Sequence, residues 1–132
     1  MLGVLNMVDQ LLNLDDQMEP EEIKLVKLAL HLVAVDQIVQ SWELSALIGV
    51  DIADVVEAHS AICISSEVSF KTLSIAYHCL NNICLGPAYL AEKSIELYKV
   101  DIDALLHLSS KVRRILGNNL LFGWGPPTGR KQ

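Results

Sequence analysis

Aromatic residues make up only 5% of this 132-residue sequence, and proline (four) and cysteine (three) are also scarce. The apolar content of 52% therefore consists mainly of Leu, Ile, Val and Ala, which pack helix against helix without needing polar partners. A chain this apolar can bury a substantial core, which excludes disorder for all but its ends. Its length is that of a single domain.

The three cysteines, Cys63, Cys79 and Cys84, are too few and too irregular for a disulfide framework. We expect them to be small core residues in a reduced, cytoplasmic compartment. No basic leader precedes the first apolar residues. The most apolar stretch, residues 28–35, is far shorter than the roughly 18–20 residues of a membrane span, so none is predicted.

Acidic and basic residues are divided between the two halves of the chain. Residues 1–67 contain 12 Asp and Glu but only two Lys, whereas residues 68–132 contain eight Lys and Arg and four acids. No acid follows Asp103. The halves should attract each other, within one chain or between two, and the net charge of −6 makes nucleic acid an unlikely partner.

Apolar residues recur at helical spacing along most of the chain, which predicts an all-α bundle of about seven helices. Capping residues such as Asp51 and Asp101, and helix-ending glycines such as Gly49 and Gly117, set the expected boundaries. Only residues 61–65 resemble a strand. The expected helices cover residues 2–13, 20–40, 42–48, 52–63, 65–84, 87–98 and 102–116.

Short matches suggest an internal duplication. Val50-Asp51-Ile52 recurs as Val100-Asp101-Ile102, and Lys24, Ala29 and His31 match Lys71, Ala76 and His78. We therefore hypothesise a leading helix followed by two three-helix units, residues 20–65 and 66–117, within one helical domain, residues 1–117. Residues 118–132, rich in glycine and proline, form an irregular tail.

Residues 43–55 resemble a helix-turn-helix, with Ser45 where the helices cross, Gly49 in the turn, and Val50 and Val55 in the joint. The second helix, however, would present mainly carboxylates to DNA, whereas readers of DNA need Arg, Lys, Asn or Gln there. A DNA-binding transcriptional regulator is therefore the alternative hypothesis, not the leading one.

No catalytic or metal-binding motif emerges, so we expect neither an enzyme nor a cofactor. His59 and Cys63 lie four residues apart, but two ligands do not make a zinc site. His31 and His78 suggest packing or hydrogen bonding between helices, and His107 a surface position. The acids of residues 15–22 lack the spacing of a calcium loop and predict a solvated helix entry.

The C-terminal region provides the candidate binding residues. An apolar anchor bracketed by cations suits docking into an acidic, partly apolar groove of another protein. The opposing interpretation is that its aromatic side chains cover the protein's own core. The leading hypothesis is a small, noncatalytic protein–protein interaction module, binding another protein or itself as a homodimer, through Lys111, Arg113, Arg114, Leu121, Phe122 and Trp124.

Overall fold

The structure, a computed structural model, describes residues 10–121. Within this range the fold is all-α, as predicted, with seven α-helices, one antiparallel pair of short strands and a final turn of 3-10 helix. The elements are β1 (Leu11–Asn13), α1 (Leu14–Gln17), α2 (Pro20–Ala34), α3 (Ser41–Leu47), α4 (Ile52–Ile64), β2 (Glu67–Ser69), α5 (Phe70–Leu85), α6 (Ala88–Tyr98), α7 (Ile102–Leu116) and the 3-10 turn (Gly117–Asn119).

Side-chain caps begin most of the longer helices. The Ser69 hydroxyl accepts a hydrogen bond from the Thr72 amide at the start of α5 (3.1 Å). Asp101 Oδ1 accepts bonds from the amides of Asp103 (3.0 Å) and Ala104 (3.3 Å) at the start of α7. Because these bonds satisfy amides that have no partner inside the helix, they fix where each helix begins.

Helix α5 lies at the centre of the molecule and packs against α2, α4, α6 and α7. Its buried residues face nearly all directions, as expected for a helix surrounded by others. Helix α2 also packs against α4, so that α2, α4 and α5 contact one another. A single hydrophobic cluster runs through all of these contacts.

The predicted helix over residues 2–13 is wrong at its end, because Leu11–Asn13 forms β1, antiparallel to β2. Residues 1–9 lie outside the described range. The Leu14 amide continues the pairing by donating to the Ser66 carbonyl (2.9 Å), and α1 then begins with the buried Leu14. The one short strand candidate in the sequence, residues 61–65, is not a strand, since α4 continues to Ile64.

Two long helices are shorter than expected. Helix α2 ends at Ala34 rather than Gln40, and Gln37 has a left-handed φ of 50°. Ile38 and Val39 are nevertheless buried, so the apolar pattern continues through a break in the helix. Helix α5 begins at Phe70 rather than at residue 65 or 66, because β2 occupies the residues before it.

Helix α6 lies along the segment that joins α2 to α3. Tyr98 donates a hydrogen bond to Asp36 Oδ2 near one end of this segment, and Tyr89 donates to Glu43 Oε1 near the other, both at 2.7 Å. Each bond to a carboxylate raises the pKa of its tyrosine. The two tyrosines therefore fasten both ends of α6 to the first half of the chain.

No helix in residues 10–121 is long and apolar enough to cross a membrane.

The predicted duplication and the boundary at residue 117 remain predictions. At that boundary Gly117 ends α7 with a positive φ of 54°, and Gly49, after α3, also has a positive φ, of 87°, as expected for both glycines.

Candidate functional site

Helices α2 and α7 form the walls of a groove of about 590 Å³, which we call the α2–α7 groove. Helix α7 contributes residues at helical spacing, so that one of its faces forms a continuous wall. Leu108 is buried at the base, and Leu25 of α2 is half-buried. The polar side chains that line the groove are Glu22, His107, Ser110, Lys111 and Arg114.

An ion pair crosses this groove. Lys111 Nζ lies 2.8 Å from Glu22 Oε1, and both side chains remain about one-third exposed (32% and 30%). Glu22 also accepts the Glu19 backbone amide at the start of α2 (2.8 Å). The hydrogen bond from Lys111, followed by that from Glu19, lowers the pKa of Glu22. Glu22 is therefore ionised at neutral pH and neutralises Lys111.

The exposed Arg114 lines the same groove and has no ion pair with any residue between 10 and 121. The groove thus combines an apolar base with an excess of positive charge at its rim. This arrangement suits a ligand that presents an apolar side chain together with a carboxylate.

The structure brings together only some of the predicted binding residues. Lys111 and Arg114 line the groove, whereas the Arg113 guanidinium donates to the Gly117 carbonyl at the end of α7 (3.0 Å). Leu121 is half-buried and lies against α5, since its amide donates to Ser74 Oγ (3.0 Å) and its carbonyl lies 2.8 Å from His78 Nε2. Phe122 and Trp124 lie outside the described residues.

A second group of ionisable side chains lies elsewhere, and we call it the histidine cluster: Cys63 and His59 of α4, His31 of α2, Asp36 after α2, and Tyr98 of α6. Cys63 Sγ is 3.6 Å from His59 Nε2, and the rings of His59 and His31 are 5.5 Å apart. His31 Nε2 lies 3.5 Å from Asp36 Oδ2. Burial, followed by the charge of His31, lowers the pKa of His59.

Two of the three cysteines are not the core residues that the sequence predicted. Cys63 is exposed rather than a core residue, and Cys84 is half-buried, whereas Cys79 is buried as expected. His59 is half-buried, and Val56, almost one turn earlier on α4, is 45% exposed. The spacing of His59 and Cys63 pointed to their contact. The approach of Asp36 and Tyr98, 62 residues apart, left no signal in the sequence.

Metal binding gains no support from this cluster. Across residues 10–121, no three His, Cys, Asp or Glu side chains are grouped so that they could hold a metal ion. The acids expected to form a solvated helix entry are exposed except for the half-buried Glu22, and His107 is on the surface as expected.

The predicted helix-turn-helix geometry is present only in part. Val50 and Val55 are buried as expected, but Ser45 is exposed and so does not lie where two helices cross. The exposed positions of α4 include Ala53, Glu57 and Ser60, and the helix contains no Lys or Arg. Nothing at this surface favours binding to DNA phosphates.

Comparison of the chain with protein-family models, with curated proteins and with solved structures gave no match.

Proposed function

We propose that this protein is a noncatalytic interaction module whose α2–α7 groove binds an acidic, partly apolar segment of another protein. The observation that carries the proposal is the exposed Arg114 beside an apolar base formed by Leu25 and Leu108. An apolar side chain of the partner would fill the base, and a carboxylate would pair with Arg114.

The charge distribution of the chain supports this choice of partner. Since no acid follows Asp103, the later turns of α7 present only cations and neutral groups. Among residues 10–121, Glu22 is the single acid lining the groove, and it is already paired with Lys111. A segment rich in carboxylates therefore meets attraction at the α7 wall, and that attraction also speeds the encounter.

Adjacent arginines permit a matched experiment. The probe is a short fluorescent peptide carrying Glu and Leu at helical spacing, and its counterpart carries Lys in place of Glu. We expect Arg114→Glu to weaken binding of the acidic peptide about tenfold, measured by fluorescence anisotropy, because the substitution places a like charge opposite the ligand. Arg113→Glu changes the net charge equally but lies outside the groove lining, so its effect should be much smaller.

Salt and oligomeric state provide the remaining controls. Binding should weaken as salt increases, and the Lys peptide should not bind. Equal effects of the two arginine substitutions, or no binding of the acidic peptide, would contradict the proposal. If light scattering instead shows a dimer that Arg114→Glu dissociates, the partner is a second copy and the peptide proposal is wrong.

A further inference from the structure

The histidine cluster contains the most accessible thiol of the protein. Cys63 is exposed on α4, whereas burial raises the pKa of Cys79 to about 12 and that of Cys84 to about 11. A thiol must ionise and be reached by its reaction partner before it acts as a nucleophile. Of the three cysteines, only Cys63 is exposed and in contact with an imidazole.

The imidazole beside Cys63 is held by residues from other parts of the fold. His59 is one turn before Cys63 on the same helix, and its ring packs edge-on against His31 of α2. His31 in turn lies against Asp36 and, with ring centroids 6.0 Å apart, against Tyr98. Because burial and the charge of His31 lower the pKa of His59, its ring is neutral at neutral pH and has a nitrogen that can accept a proton, although the same two effects make it a weaker base than a free imidazole.

We propose that Cys63 is a modification site that exchanges with low-molecular-weight disulfides, with His59 as the positioning residue that accepts the thiol proton. The Cys63 sulfur attacks one sulfur of the disulfide, so that a new S–S bond forms as the original one breaks. The other half of the reagent leaves as a thiolate. The protein thiol is oxidised and the reagent is reduced, so no further oxidant is needed.

His59 contributes to this step in two opposing ways. A hydrogen bond from the imidazole stabilises the thiolate and increases the fraction of reactive thiol. A better stabilised thiolate is, however, a weaker nucleophile, which cancels part of that gain. We therefore expect a net rate advantage of about threefold at neutral pH, together with a pH–rate profile that begins to rise at lower pH than for a cysteine without an imidazole.

The test treats the full chain with oxidised glutathione and follows the mixed disulfide by mass spectrometry over a range of pH. We expect modification at Cys63 and not at Cys79 or Cys84. His59→Leu should lower the rate about threefold at neutral pH and move the profile to higher pH. The exposed Ser60→Leu, on the same helix, controls for the introduction of an apolar side chain and should leave both unchanged.

A second variant separates the imidazole from simple exposure. Ser60→Cys in a Cys63→Ser background places a thiol at another exposed position of α4. The residue one turn before this new thiol is Val56, whereas the residue one turn before Cys63 is His59. It should react like the His59→Leu protein. The proposal is wrong if Ser60→Cys reacts as fast as Cys63, or if His59→Leu changes neither rate nor profile while circular dichroism shows an intact fold.

Discussion

His78 shows how one buried polar side chain attaches the end of the described chain to its core. The side chain is only 8% exposed, and its Nε2–H donates to the Leu121 carbonyl, while the fully buried Ser74 accepts the Leu121 amide. These two bonds satisfy both backbone groups of Leu121. The sequence suggested a hydrogen bond for His78, but its partner is the segment after α7 and not a neighbouring helix.

This burial gives stability a defined pH dependence. Desolvation lowers the pKa of His78 in the folded protein, and the bond to Leu121 only partly opposes it. Protonation therefore favours the unfolded chain, in which histidine has a pKa of about 6.5. We expect the contribution of His78 to be complete above that pH and to decline as pH falls toward the lower folded value.

His78→Gln should keep a donor to Leu121 while removing this titration. Urea unfolding at a series of pH values should show a smaller loss of stability below neutral pH for His78→Gln than for the parent. His107→Gln, at an exposed site, should behave like the parent. The interpretation is wrong if His78→Gln and the parent lose stability in parallel.

At the scale of the element, helix ends could be predicted where local chemistry determines them. Asp51 and Asp101 precede α4 and α7 as expected, and Gly117 ends α7. Prediction failed where tertiary contacts decide. The buried Ile38 and Val39 continue the apolar pattern of α2 after the helix has ended, and β1 exists only because β2 lies beside it.

Gly117 offers a direct test of one such end. Its φ of 54° and ψ of −127° are disfavoured for residues with a side chain, yet a Cβ there would meet no atom within 4 Å. We expect Gly117→Ala to lower the free energy of unfolding by about 1–2 kcal/mol through backbone strain alone. Chemical denaturation measures this change, and the exposed Ser110→Ala should alter stability by less than about 0.5 kcal/mol. A neutral Gly117→Ala would show that the turn adjusts without cost.

At the scale of the whole molecule, the opposite charges of the two halves meet inside one chain. Lys71 pairs with Asp54 (3.8 Å), and Lys111 pairs with Glu22 (2.8 Å). The composition indicated this attraction but not which residues would meet. The candidate groove could likewise be predicted only in part. The cations of α7 could be identified from the sequence, but the sequence does not tell which face of α2 lies opposite them.

Leu28 of α2 and Leu80 of α5 differ in how deeply they are buried. Leu80 is fully buried in α5, whereas Leu28 of α2 is only half-buried. We expect Leu80→Ala to lower the free energy of unfolding by about 3 kcal/mol and Leu28→Ala to lower it by clearly less, since a cavity in the centre cannot collapse easily. Thermal and urea unfolding followed by circular dichroism measure both, and similar losses would contradict the central position of α5. Leu80→Asp should unfold the protein, and a fully helical Leu80→Asp variant would contradict the same assignment.

The pairing of β1 with β2 has a consequence for how the chain is connected. Leu11–Asn13 is hydrogen-bonded to the three residues that lead directly into α5, so the chain carrying α1 to α4 leaves the central helix and returns to it. The ladder thus closes a loop of chain that contains α1 to α4. Because α2 and α4 also pack directly against α5, opening the ladder would release residues 11–13 locally while the two halves of the molecule stay together.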